Sequence, residues 1–155
     1  MLRWIILAAT HGAMLAFGFA LGVYTLPILT APKGPDRAAL QQAAASAQFK
    51  GRFARDLKGS DFLHWGEGEV RLMKERIAHE GGWRRTDYKL YLTKGFVDTK
   101  EGFAKIKAQA KLVADVKTFN GFIVDVPAGI DIAAYDTVVI WCESFSQFIT
   151  AANYR

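Results

Sequence analysis

From Trp4 to Leu29 the chain reads WIILAATHGAMLAFGFALGVYTLPIL, without a single Lys, Arg, Asp or Glu. A membrane helix needs about 20 mainly apolar residues at about 1.5 Å of rise each, and this stretch exceeds that even if it stops before Pro27. Trp4 and Tyr24 lie near its two ends, where amphipathic rings favour the membrane interface. The rival reading is a cleaved signal peptide, whose apolar core is shorter and ends at a small-x-small site. The nearest such point, after Ala31, has Leu29 two positions earlier and Pro32 directly behind it. Residues 1–30 are therefore expected to be an uncleaved single-pass anchor that contacts the membrane through residues 4–29.

Orientation rests on a weak charge bias, with Arg3 and the α-amino group before the span and Lys33 and Arg37 after it. A short N-terminal tail on a first helix stays cytoplasmic, which places everything after Leu29 in the periplasm or outside the cell. Gly18 and Gly22 have the spacing that lets two membrane helices approach closely and form a homodimer; the alternative is that glycine is simply frequent in such helices. His11 inside the span is either a ligand or proton relay, or a side chain reaching the headgroups.

The chain has 155 residues, an apolar fraction of 51% and a charged fraction of 23%, enough for one domain plus an accessory segment. Its net charge of +5 suits an anionic partner. An extracytoplasmic domain meets lipid headgroups, envelope polymers or an acidic redox or envelope protein, and no nucleic acid is expected. The stretch "GGWRRTDYKLYLTK" interleaves cations with aromatics as single-strand binders do, but an amphipathic strand pair with a solvated basic face explains it more simply.

After the span, "TAPKGPD" breaks the helix, and "RAALQQAAASAQF" favours a short helix with Asp36 as its N-cap. Residues 31–48 thus read as a linker or short helical spacer. From Phe49 the texture changes to short apolar or alternating runs separated by Gly, Asp, Asn and Pro. The runs "FKGRFARDL", "GEVRLMKER", "DYKLYLTK", "AKLVADVK", "GFIVDVP", "TVVIWCES" and "SQFITAANY" predict an all-β domain over 49–155, an antiparallel sandwich or barrel. Only "TKEGFAKIKAQAKL" offers a helix inside it.

The lone cysteine of the chain, Cys142, falls in one of these runs. Alternation puts Val138, Ile140 and Cys142 on one strand face and Val139, Trp141 and Glu143 on the other. A thiol on an apolar stripe is either a core residue packing as a small hydrophobe or a reactive group; spacing alone favours the first. An exported chain with one cysteine cannot close its own disulfide. His11, His64 and His79 have no ligand spacing, and no second cysteine exists for a CxxC pair, so no metal site is expected. A noncovalent haem needs only one or two axial ligands, for which Cys142, a histidine or Met73 remain candidates. No GxSxG, HExxH or phosphate-loop motif is present. Glu67 and Glu69 share a strand face and read as solvated rather than as an acid-base pair.

The C-terminal run "GFIVDVPAGIDIAAYDTVVIWCESFSQFITAANY" resembles the DM13 domain. Phe122 to Pro127, Tyr135, Val139 to Cys142, Phe145 and Ala151-Ala152 fall in register with its glycine strand, its proline step, its "y-sVvIwC--f" strand and its small-residue close. Upstream, "GRFARDLKGSDFLHWGEGEVRL" and "DYKLYLTKG" are similar to the family's opening strands, whereas "EGFAKIKAQAKLV" is less apolar than its pattern. The resemblance implies an extracytoplasmic β domain with a proposed role in electron transfer; independent catalytic activity is not expected of the chain. It makes Cys142 a candidate redox thiol or a candidate ligand to a cofactor such as haem, with Trp141 and Phe145 walling the site. The other reading is a non-enzymatic cell-envelope binding module in which Cys142 is structural.

Overall fold

A computed structural model describes residues 1–84 and 87–155, so Arg85 and Thr86 of the basic stretch lie outside the described residues. The chain forms two compact units, Met1–Ala31 and Pro32–Arg155. The first is one helix, α1 (Leu2–Thr30), long and apolar enough to cross a membrane. Its polar side chains bond back to its own carbonyls: Thr25 to Leu21 and Thr30 to Leu26, both at 2.8 Å, and the His11 ring to Leu7 at 2.8 Å. A helix whose polar groups are satisfied internally suits hydrocarbon.

The second unit opens with α2 (Arg37–Ala45), capped by the Asp36 carboxylate, which accepts from the Ala39 N–H at 2.7 Å. The short helix expected before the domain is thus present. It docks on the domain, burying Leu40 and Ala43 over strands β2 and β3.

Eight strands follow: β1 (Phe49–Phe53), β2 (Gly66–Met73), β3 (Arg76–Trp83), β4 (Tyr88–Thr93), β5 (Lys111–Val116), β6 (Phe122–Asp125), β7 (Thr137–Cys142) and β8 (Gln147–Asn153). They form two four-stranded antiparallel sheets, ordered β1-β2-β3-β6 and β5-β4-β7-β8. Inward residues of both sheets, among them Phe53, Leu72, Ile77, Leu90, Ile140 and Ile149, fill one core. The domain is the expected antiparallel sandwich.

One of its strands is absent from the sequence-based set. β3 spans "RIAHEGGW", and its charges and paired glycines hide a segment that contributes Ile77, Ala78, His79 and Trp83 to the interior. The two sheets also meet along a side. A Cβ on Gly51 would stand 2.8 Å from the Asn153 carbonyl oxygen, so glycine there lets β1 lie against the edge strand β8. The β1–β2 loop covers the same edge, with Ser60 donating to the Ile149 carbonyl at 2.7 Å and Thr150 to the Ala54 carbonyl at 3.0 Å. An edge covered this way offers no template for another strand.

The segment "TKEGFAKIKAQAKL" holds a short helix, α3 (Lys100–Ile106), capped by Thr99. Phe103 of α3 is fully buried against the outer face of the second sheet, with Tyr91, Val139, Trp141, Phe148 and Ala151. This second layer explains why every residue of β7 is buried rather than every other one.

Candidate functional site

Cys142 ends β7 and is 6% exposed. As alternation predicts, it lies in the inter-sheet core with Val138 and Ile140, while Val139 and Trp141 belong to the outer cluster. Continuing the β4–β7 register one residue past Lys89↔Trp141 sets Tyr88 opposite Cys142. Tyr88 is also in the core, and its ring meets Trp83 edge-on at 6.3 Å between centroids.

Trp83 anchors a ring cluster at this end of the core. It stacks on His79 at 4.3 Å and on Phe122 at 5.6 Å, with Phe53 edge-on to both Trp83 and His79. Its indole N–H donates to the Thr118 carbonyl at 2.6 Å, which ties the β5–β6 turn to the end of β3. Such ring pairs contribute beyond their buried area, about 1 kcal/mol each.

His79 is fully buried within this cluster. The Glu67 carbonyl, 3.0 Å from Nε2, can only accept, so Nε2 carries a proton. Burial lowers its pKa from 6.5 to about 4, more than the bond to Glu67 and the nearby Glu80 carboxylate restore. Two glycines make room for the ring: a Cβ on Gly68 or Gly81 would approach Nε2 to 2.8 Å, and Gly68 has a φ of +124°. A third, Gly121 at φ +87°, lets the β5–β6 turn close on the His79 carbonyl, where a Cβ would stand at 2.3 Å.

On the outer face a polar group borders Trp141. Glu143 accepts from the Tyr91 hydroxyl and from the Lys107 ammonium, the latter at 2.6 Å. Although burial pushes the Glu143 pKa up, the bonds from Lys107 and Tyr91 hold it below the ordinary value. Tyr91 is pushed upward, first by burial and then by Glu143. The hydroxyl is thereby a hydrogen-bond donor at all ordinary pH.

The residues expected to wall the thiol do not gather around it. Trp141 faces away from Cys142 and packs on Phe103 at 5.0 Å between ring centroids, and Phe145 is 58% exposed in the β7–β8 turn. The reason is the pleat, because neighbouring residues on a strand point to opposite faces. The other candidate ligands are dispersed. His64 is bound to Asp61 at 2.9 Å, and Met73 lines a shallow groove with α2 at the far end of β2. Glu67 and Glu69 are exposed, and Glu69 shares Arg71 with Glu80 in an ion-pair network at 2.7 and 3.0 Å.

A haem needs a cleft beside its ligand. Cys142 instead sits in packed core, and the described concavities, of about 90 to 390 Å³, are lined by other residues. The residues around Cys142 do not fit the group. Among the described residues no cluster of three or more His, Cys, Asp or Glu side chains is placed to hold a metal ion.

Neither curated proteins nor solved structures yield a match to this chain. Residues 53–154 match the profile of the family described as electron transfer DM13, from the last residue of β1 to the penultimate residue of the chain. That interval takes in seven whole strands, the ring cluster and the buried thiol, and the chain belongs to the DM13 family.

Proposed function

We propose that this chain is a membrane-tethered, extracytoplasmic electron-transfer module whose working group is the Cys142 thiol. The observation that carries this reading is the position of the lone cysteine: it closes β7 inside the matched interval, one residue from an external turn and opposite Tyr88. In this reading α1 spans the bilayer, with Gly18 and Gly22 one turn apart and open space over both, available to a second copy of the helix. Residues 49–155 then work outside the cytoplasm on a redox or envelope protein.

A lone thiol needs a second sulfur from its partner. Attack of the Cys142 thiolate on a partner disulfide forms one S–S bond and breaks another, and the displaced partner sulfur leaves as thiolate. A thiolate from a second, reducing protein then attacks the partner sulfur of the mixed disulfide and expels Cys142 as thiolate. That donor sulfur ends oxidised in the new S–S bond while the first displaced sulfur stays reduced, so two electrons pass without a bound cofactor. Burial of the thiol requires the 143–146 turn to open first.

A second reading rests on the same 6% exposure: Cys142 packs the core and the domain is a binding module of the cell envelope. One experiment separates the two. Full-length protein in membranes is alkylated across a series of thiol-to-disulfide ratios, beside Cys142→Ser. Electron transfer predicts a labelled fraction that follows the ratio reversibly, together with a mixed disulfide lost in the variant. A thiol that reacts only after unfolding, with a variant destabilised by about 1 to 2 kcal/mol, is the outcome that removes the redox reading.

A further inference from the structure

The Cys142 end of the sandwich carries two large apolar side chains that the fold holds out to solvent. Phe62 and Leu63, at 74% and 48% exposure, are the central residues of the turn Asp61–His64. The turn is pinned from every side. Asp61 Oδ1 accepts from the N–H groups of Leu63 at 2.7 Å and His64 at 2.8 Å, and the His64 ring lies 2.9 Å from Oδ2. The Asp61 N–H donates in turn to the His64 carbonyl at 2.9 Å. A loop that exposes apolar residues through looseness lacks such bonds. Here the exposure is built in, and ordering the turn on a partner surface has little entropy left to lose.

The chain enters the domain at the same end. Gly34 lies against the Asn120 carbonyl, where a Cβ would stand at 3.0 Å. The Asn120 turn packs on the end of β3, through Thr118 to Trp83. The next residue, Arg84, lies over the Phe62 ring at 4.7 Å from its centroid. Phe145, in the β7–β8 turn, is exposed on this end too. Lys33, next to Gly34, and Lys117, on the Asn120 turn, are also exposed, with Asp56 and Asp87 as exposed carboxylates on the loops of this end.

We infer that this end of the domain docks on the bilayer surface, with Phe62 and Leu63 entering the headgroup–acyl boundary and Arg84 meeting anionic headgroups. The inference rests on the reading of α1 as a membrane span. Covalent reach selects lipid over other occupants: Gly34 lies three residues along the chain from Ala31, and three such steps extend about 10 Å at most. A bilayer crossed by α1 is therefore never far from the Asn120 turn. Apolar tips beside a cation are the composition that interfacial segments use, each part alone binding weakly and reversibly. The docked domain presents Cys142 to partners at the membrane surface rather than to those diffusing freely.

The test uses full-length protein in vesicles of phosphatidylethanolamine and phosphatidylglycerol, with the photoreactive residue p-benzoylphenylalanine introduced at one position at a time. Phe17 in the span reports on anchoring, Phe62 and Leu63 on docking, and Lys74, in the exposed β2–β3 turn at the opposite end, on background. All four side chains are solvent-exposed or on the helix surface, so the substitutions spare the core. Docking predicts lipid adducts at Phe17, Phe62 and Leu63, several-fold above Lys74. Adducts at Phe17 without any at Phe62 or Leu63 overturn docking and leave the anchor standing. Absence of adducts at Phe17 overturns the anchor and the inference with it, and a protein adduct in place of lipid at Phe62 overturns the choice of bilayer.

Discussion

The two faces of β7 are equally buried and chemically unlike. The inner face, Val138, Ile140 and Cys142, ends in a thiol inside an apolar core shared by both sheets. The outer face, Val139 and Trp141, is covered by the short helix α3, and Glu143 beyond it is bound by Tyr91 and Lys107. The inner face is redundant, because many side chains contribute to its packing. The outer face has fewer supports: Phe103 is the fully buried ring laid over it, with Leu57, Val97, Ile106 and Ala110 only partly buried around it, and one carboxylate borders it. Burial to the same degree thus rests on very different numbers of supports, and the faces should differ in how they fail.

The largest expected effect is loss of the outer cover. Phe103→Ala removes the ring that touches Tyr91 at 5.3 Å and Trp141 at 5.0 Å, and should cost about 4 kcal/mol in denaturant unfolding. Trp141 fluorescence should shift to the red while thiol reactivity at Cys142 changes little. A loss below about 1 kcal/mol would mean that α3 is not what holds the outer layer.

Next comes the inner core through His79. Its pKa is lowered from 6.5 to about 4, so above pH 6.5 both folded and unfolded states hold it neutral and stability is full. Below pH 6.5 the unfolded state takes up a proton that the folded state refuses. Stability should therefore fall as pH drops from about 6.5 to about 4, by about 3 kcal/mol over the window. Unfolding free energies measured between pH 4 and 8 check the sign, and His79→Phe should remove this part of the slope. A slope that survives His79→Phe places its origin elsewhere.

The smallest effect belongs to the polar rim. Glu143→Gln keeps the shape but weakens the bonds from Tyr91 and Lys107, at a cost of about 1 kcal/mol given partial exposure. Because the Glu143 pKa is depressed, its stabilising contribution is complete above the ordinary carboxylate range and fades as pH falls through that range. The variant should therefore match the parent at low pH and fall behind it at neutral pH. Tyr91→Phe should reproduce about half of the loss, measured by the same unfolding curves.

How legible these regions were follows from the reach of each signal. Alternation along "TVVIWC" put Cys142 with Val138 and Ile140 on one face, which the core packing bears out. β3 was hidden because its information is not local. Glu80, Gly81 and Gly82 interrupt any apolar alternation, and only pairing with β2 and β6 reveals that Gly81 opens space for the His79 ring. No pattern within "RIAHEGGW" records that ring or its neighbours. Trp141 is next to Cys142 in sequence, yet the pleat sends it to the other side, so it cannot wall the thiol.

An uncharged span, an all-β domain after it and a lone thiol on an apolar stripe can all be read directly along the chain, since each is written in composition or in a period of two residues. Which strands pair, what covers the outer face of β7, and how Trp83, His79 and Phe122 come to stack were decided only in the tertiary structure. Those arrangements depend on residues tens of positions apart, brought within van der Waals contact where a missing Cβ, as at Gly51, Gly81 or Gly121, leaves the space. Local preference sets the faces of a strand, and packing alone determines what each face meets.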